Sequence, residues 1–396
     1  MRKNYRLTRR PIRDEYDRPD NAMTISIHIK EIAKQAIVSI VFLCGCFSCS
    51  VFGEEFSAET IVDGLNYPWS IAFLPNGDAL ITEKVGKLRL LKQGRLVKTP
   101  ITGLPKIIDR GQGGLMGIAL HPNFTVNQRV CLSYVGRDKQ GASTEVVCAT
   151  FDGEKLNNVD VVFRASPRSN RYKHFGGRLA FDADANLYIT LGDRGDRSSA
   201  QNNLMHNGTL IRITTAGKPV PNNPFVGDSQ GLPEIFSTGH RNIQGIAIHP
   251  DTLEVWTHEH GPQGGDEVNV TKPGLNYGWP VITYGVNYGF GTKIGEGTAK
   301  PGMEQPVHKW VPSIAPAGMT FYSGDVHKHW QGDLFVGSLK FGQLVRLRFE
   351  GEAFVSEQRF FDGDYGGIRD VAEGPDGEIY FLTNSSNGKL MRLVVH

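Results

Sequence analysis

The chain has 396 residues, and its 47 glycines and 21 prolines are spread along its length rather than gathered into one tail. That distribution argues for many turns between short strands and against a long disordered region. A formal net charge of +2 at pH 7 gives no reason to expect nucleic acid as a partner.

The first expected element is a targeting segment, residues 1–53. It holds 9 Lys+Arg against 5 Asp+Glu, which leaves 34 basic against 36 acidic residues in a nearly neutral body. Lys30 and Lys34 precede an apolar run from Ala36 to Phe47. This is the layout of a signal peptide, with a hydrophobic centre too short to span a bilayer comfortably. Met23 is the expected start, and cleavage after Gly53 would release residues 54–396 as one periplasmic or secreted domain. Arg9-Arg10 resembles a twin-arginine signal, although Pro11 and the long gap to the apolar run weaken that reading. In a competing reading Leu43-Cys44-Gly45-Cys46 is a lipoprotein site and Cys46 carries a lipid anchor. No later segment is apolar for long enough to cross a membrane.

The body is a series of similar hairpins. WSIAFLPNGDALITEKVGKLRLL from Trp69, GRLAFDADANLYITLGDRG from Gly177, GIAIHPDTLEVWTHEHG from Gly245 and RDVAEGPDGEIYFLTNSSNGKLMRL from Arg369 share one plan. An alternating apolar strand leads into a turn of Pro, Asp, Asn or Gly, and a second strand rich in Ile, Leu, Tyr and Thr follows. Looser copies begin at Gly117 and Gly318. Aligned on Ala72, Ala119, Ala180, Ala247, Thr320 and Ala372, the units are spaced by 47, 61, 67, 73 and 52 residues. A hairpin cannot bury both apolar faces alone, so such units must stack against neighbours. Sixfold recurrence without helical periodicity predicts an all-β fold, a six-bladed β-propeller of four-stranded antiparallel sheets. A two-sheet sandwich would leave the recurrence unexplained. The body has only two cysteines, Cys131 in VCLSYV and Cys148 in EVVCAT, on strands flanking the turn at 136–143. They are either a disulfide across a hairpin or two buried thiols in neighbouring strands.

Polar residues gather at the hairpin ends, each beside glycines that let backbone approach a ligand. In chain order they are Gly111-Gln112-Gly113-Gly114, His174-Phe175-Gly176-Gly177-Arg178, Gly192-Asp193-Arg194-Gly195 and Gly239-His240-Arg241-Asn242. Glu259-His260-Gly261-Pro262 with Asp266-Glu267, then Lys340, then Arg369-Asp370 complete the series. Singly, each has an ordinary structural reading; an Asp in a Gly-Asp-Arg-Gly turn commonly caps its own backbone. A propeller, however, brings such loop ends to one mouth of its channel. His, Asp, several Arg and a Lys meeting there suit an anionic ligand with a general base beside it.

The strings GQGGLMGIALHPNF, HFGGRLAFD, YITLGDRG, GHRNIQGIAIHP, EHGPQGGDEVN, GLNYGWP and IRDVAEGPDGEIYFLT follow one another in this order. The chain thereby resembles the soluble quinoprotein glucose/sorbosone dehydrogenase family from about Leu65 to Leu393, and its aldose sugar dehydrogenase branch in particular. The resemblance implies a six-bladed propeller that oxidises an aldose to its lactone with pyrroloquinoline quinone and calcium, passing electrons to an unidentified acceptor. It implies His174 as the general base, Asp193 as the carboxylate orienting it, and Arg241 as the cation beside the quinone carbonyl. Gln112 and Asn242 match polar cofactor ligands, and Lys340 and Arg369 match cations for the cofactor carboxylates. Gly261 and Pro262 match carbonyl donors to calcium, and Asp266 a nearby carboxylate that otherwise reads as a turn residue.

There is one departure. Family members commonly carry a second arginine two residues before Arg369, where this chain has Gly367. At about 1.5–3 kcal/mol per charged hydrogen bond, that loss is worth one to two orders of magnitude in cofactor affinity unless another cation substitutes. Two other functions compete. A calcium-dependent propeller hydrolase, such as a lactonase, would hold its metal with side-chain carboxylates and amides at the channel centre. A non-catalytic sugar-binding propeller would draw its only support from Gly367. Tyr67, Trp69, Tyr277, Trp279 and Tyr284 are candidates for stacking on sugar faces, with blade core the favoured role for Trp69 and Trp279.

Overall fold

The computed structural model describes residues 55–396, which form one unit. The expected signal peptide and cleavage site, and the lipid-anchor reading at Cys46, lie outside the described residues.

Twenty-four strands make six four-stranded antiparallel sheets. The first to complete is β2 (Pro68–Phe73), β3 (Ala79–Glu83), β4 (Lys87–Lys92) and β5 (Arg95–Leu96), followed by β6 (Leu115–Leu120), β7 (Arg129–Asp138), β8 (Gly141–Phe151) and β9 (Leu156–Arg164). The third is β10 (Leu179–Phe181), β11 (Asn186–Thr190), β12 (Leu210–Thr214) and β13 (Ile235–Ser237); the fourth is β14 (Ile243–Ile248), β15 (Val255–Glu259), β16 (Asp266–Thr271) and β17 (His308–Trp310). The fifth is β18 (Pro316–Phe321), β19 (Leu334–Ser338), β20 (Leu344–Glu350) and β21 (Ala353–Phe360). The sixth joins β22 (Ile368–Glu373), β23 (Ile379–Thr383) and β24 (Gly388–Val395) to β1 (Phe56–Leu65) from the other end of the described chain. That closing ladder runs from Phe56 opposite Val395 to Leu65 opposite Gly388.

Strands buried on both faces read as continuous apolar runs, which is why ALITE, LFVGS and IYFLT occur here. Most buried side chains fall into one core per blade interface, with two smaller clusters around Trp69 and Trp279. Leu80 and Leu88 meet Leu132 and Val147, and Val146 meets Leu187 and Ile211. Tyr188 and Leu210 meet Ile246 and Val255, and Trp256 and Val268 meet Val336 and Val345. Phe335 and Leu344 meet Phe381 and Met391, and Leu382 and Leu390 return to Ile71 and Ile81. The ring is therefore closed by packing as well as by the β1–β24 ladder. Cys131 and Cys148 face each other across β7 and β8 and form a disulfide, which decides the pairing that spacing left open.

The innermost strands share a local irregularity. In five of them the ladder skips a position near the start of the strand: Trp69 in β2, Gln244 in β14, Gly318 in β18 and Arg369 in β22, with the corresponding shift in β6 between Leu115 and Ile118. A bulge of this kind re-aims a side chain out of the strict in–out alternation. Three of the skipped residues, Trp69, Gln244 and Arg369, line the principal cavity.

Candidate active site

The cavity occupies about 380 Å³ at the mouth of the channel, within the usual range for a small-molecule site. Gln112, Asn242, Gln244 and Asn384 supply amides, Tyr67, Trp69 and Phe175 supply aromatic surface, and Lys84 and Arg369 supply positive charge. No Asp or Glu lines it. His260 is there as a neutral ring: burial pushes its pKa down to about 3, and its Nε2–H donates to the Pro316 carbonyl at 2.7 Å.

The floor is an ion pair. Arg178 reaches across the channel to Asp370, and every arm of its guanidinium is engaged. Nε donates to the Gln244 carbonyl at 2.9 Å, Nη2 to the Arg369 carbonyl at 2.7 Å, and the plane lies 4.1 Å over the Trp69 ring. Below the pair a second space of about 210 Å³ opens at the other end of the channel. Because Arg178 takes Asp370, the neighbouring Arg369 has no carboxylate. Its Nη1 reaches only Gln244 Oε1 at 3.3 Å, and its buried Nε has no partner. Burial, and then the charge of Arg178, pull the Arg369 pKa down to about 9. A half-buried cation with an unpartnered Nε at the end of an acid-free cavity is the expected setting for an anion.

His174 stands in the loop before β10, with a left-handed backbone (φ 52°) and its N–H donating to Gln112 Oε1 at 2.6 Å. Its Nδ1 lies 2.6 Å from Asp193 Oδ1. The same Asp193 oxygen accepts the Gly195 N–H at 2.6 Å, and Oδ2 accepts Trp279 Nε1–H at 2.8 Å. Burial works against ionisation of Asp193, but these donors outweigh it and hold the pKa below the ordinary carboxylate value. An ionised acceptor places the proton on His174 Nδ1 and leaves Nε2 as the basic nitrogen. Burial, with help from the Arg241 charge, lowers the His174 pKa, so the ring is neutral near pH 7.

Glu259 organises the next loop. Its carboxylate accepts from His240 Nδ1 at 3.0 Å and from the Arg241 N–H at 2.5 Å. Arg241 Nη1 donates to the His260 carbonyl at 2.9 Å, with its guanidinium 5.4 Å from the Trp279 ring. Asn242 Oδ1 accepts the Gly176 N–H at 3.1 Å, tying this loop to the one that carries His174.

Of the residues singled out from sequence, Gln112, Asn242 and Arg369 line the cavity, and Gln112 joins it to His174 and Asp193. Lys340 is exposed beside the cavity-lining Leu339, its ammonium 4.8 Å from the Phe341 ring. Gly261 and Arg241 border a separate crevice of about 10 Å³. Asp266 Oδ1 accepts the Gly261 N–H at 2.8 Å and Ser313 Oγ–H at 3.0 Å, and Oδ2 accepts the Ala315 N–H at 2.8 Å. Its oxygens are thus committed to holding the 261–266 turn, the turn-residue alternative raised above. Among the described residues no group of three or more His, Cys, Asp or Glu is arranged for a metal. Trp69 and Trp279 are buried, as core residues should be, yet one lines the cavity and the other holds Asp193. Lys84, Gln244 and Asn384 were not singled out from sequence; Arg178 and Asp370 were, in two separate clusters, but nothing in either cluster pairs them.

The sequence profile of the glucose / sorbosone dehydrogenases matches residues 65–392. The chain belongs to the glucose/sorbosone dehydrogenase family. Within that family it is 40% identical over 365 residues to the aldose sugar dehydrogenase YliI of Escherichia coli, covering 91% of this chain and 98% of the relative. The crystal structure of the soluble aldose sugar dehydrogenase from Escherichia coli in the apo-form superposes with a TM-score of 0.83 at 39% identity, over 86% of this chain and 99% of that one. The PQQ-bound form of an aldose sugar dehydrogenase from Streptomyces coelicolor gives a TM-score of 0.71 at 30% identity, over 86% and 99% of the two chains.

Proposed function

We propose that this protein is an aldose sugar dehydrogenase that uses pyrroloquinoline quinone (PQQ) and calcium and acts outside the cytoplasm. The observation that carries the reading is a neutral histidine, fixed by an ionised aspartate, at the edge of an acid-free cavity that offers uncompensated positive charge. The relatives that bear the same activity in their names add to it. When bound, the quinone supplies a two-electron acceptor for the hydride of the anomeric carbon. The chain's own residues do the rest. Arg369 on the cavity floor and Lys340 beside the rim would hold the cofactor carboxylates, and Gln112 and Asn242 would orient it. Arg241, from the neighbouring crevice, would supply a positive charge to offset the negative charge that reduction develops. His174 takes the proton of the anomeric hydroxyl at Nε2, and Asp193 stabilises the imidazolium that results. The lactone leaves and the electrons pass to an external acceptor.

For calcium, the donors on offer at the 261–262 turn are backbone carbonyls, which suit a hard cation. Gly261 and Pro262 would hold it, and Asp266 would shape the turn rather than ligate. A lactonase-like hydrolase would want carboxylates and amides converging on a metal at the channel centre. The centre holds the Arg178–Asp370 pair instead, which favours the dehydrogenase. A non-catalytic binding protein would have no use for the His174–Asp193 arrangement. No helix among the described residues is long and apolar enough to cross a membrane.

The test separates binding from chemistry. His174→Ala should bind PQQ like the parent protein, while its sugar-dependent turnover falls by about 10²–10⁴-fold, the usual worth of a general base. A variant that kept parental turnover would rule out His174 as the base.

A further inference from the structure

The two cations lining the cavity belong to different blades. Arg369 lies on β22 at the floor, and Lys84 follows β3 in the wall. Lys84 leaves its backbone from a fixed point: its N–H donates to the Tyr67 carbonyl at 2.9 Å, and its carbonyl accepts the Leu115 N–H at 3.1 Å. Its stem lies against Gly114, where an added Cβ would come within 2.7 Å of Lys84 Cγ and 2.2 Å of its carbonyl oxygen. The ammonium pairs with Asp109, and both side chains are part-exposed, at 26% and 35%. An exposed pair of this kind contributes little to folding. Its position at the wall of an acid-free cavity therefore calls for another account.

The position of Gly367 supplies one. A Cβ there would lie 2.7 Å from the Leu339 carbonyl oxygen, so a larger residue would have to displace the cavity wall. The Gly367 carbonyl accepts the Asn384 N–H at 2.7 Å; Ser385, next in the chain, accepts the Tyr67 N–H at 2.8 Å; and Tyr67 in turn holds Lys84. Tyr67, Lys84 and Asn384 all line the cavity. Lys84 thus borders the same sector of wall as Gly367, one blade away, and brings a charge that position 367 has no room to carry.

We propose that Lys84 is a carboxylate anchor for the anionic cofactor, held in readiness by Asp109 and compensating for the glycine at 367. The inference rests on the quinone reading of the cavity. A ligand carboxylate takes the place of Asp109 at the ammonium, and the released Asp109, already part-exposed, is taken up by solvent. Asp109 lowers affinity by competing, which gives the two residues opposite signs in a binding measurement.

The experiment is an equilibrium titration of the purified chain with PQQ in calcium-containing buffer, without sugar, followed by quenching of tryptophan fluorescence. Lys84→Met should raise Kd by about tenfold or more, the scale of one charged hydrogen bond. Asp109→Asn should lower Kd, and that gain should vanish when Lys84→Met is added. Lys87→Met, which removes the same charge from an exposed site on β4 away from the cavity, should change nothing. Parental affinity in Lys84→Met would overturn the inference and leave the quinone reading standing. Weakening by Asp109→Asn would also overturn it, because the pair would then act as a strut. If the parent chain itself does not bind PQQ, the quinone reading falls and this inference with it.

Discussion

Asp193 sets the protonation state of the site, and its three donors show how. With His174, Gly195 and Trp279 all hydrogen-bonded to it, the carboxylate stays ionised despite burial, and the imidazole keeps its proton on Nδ1. In the proposed mechanism the base works as neutral imidazole, so activity should be present above the His174 pKa and be lost as pH falls through it. Burial has moved that pKa below the ordinary histidine value, and the acid limb of the kcat profile should sit correspondingly low. Asp193→Asn removes the interaction that raises the His174 pKa. The limb should then move to still lower pH, and the plateau should drop by about 10²-fold or more as the tautomer is no longer fixed. A limb that moved to higher pH in a pH–rate series would contradict this assignment. His174 and Asp193 stood out in the sequence because each ends a hairpin in a glycine-rich cluster, and their pairing was expected from the family resemblance alone. Trp279 could be read as blade core or as a sugar-stacking ring but not as a partner of Asp193, since that bond spans 86 positions and no local pattern encodes it.

At the level of the element, the bulges near the start of the innermost strands matter most. They turn Trp69, Gln244 and Arg369 into the cavity. The strands themselves were legible from alternation and turn residues, but a bulge depends on which residue of the partner strand lies opposite, and a single strand's sequence does not carry that. The β7–β8 hairpin shows the same division. The pairing of VCLSYV with EVVCAT follows from alternation around one turn, whereas the oxidation state of Cys131 and Cys148 did not. The disulfide closes a loop across 17 positions, for which chain entropy alone gives about 3 kcal/mol. Replacing both cysteines by alanine should lower the stability measured by denaturant titration by roughly that amount. Unchanged stability would mean that the bond does not form in the folded protein. Because neither cysteine lines the cavity, PQQ affinity should be untouched.

Across the whole molecule, six cores in a ring and one ladder between β1 and β24 make the fold a closed circuit, with Arg178 as its central strut. Recurrence of the hairpins foretold the six blades, because each repeat exposes an apolar face that only a neighbour can cover. The strand that closes the ring was not legible, since β1 precedes the first recurring hairpin and resembles none of them. Nor was the strut, whose partners Gln244, Arg369 and Asp370 lie far along the chain. Arg178→Met strands a buried carboxylate, which should cost about 3–5 kcal/mol in denaturant unfolding. Adding Asp370→Asn should recover much of the loss; equal instability in the double variant would mean that Arg178 acts through packing alone. The closed ring presents its cavity at one mouth, and the decisive measurement adds PQQ and calcium to the cofactor-free protein and follows reduction of an artificial dye across a panel of aldoses. Sugar-dependent reduction that requires PQQ is expected. A folded protein that stays silent with every aldose, and whose melting temperature PQQ does not raise, would contradict the dehydrogenase reading.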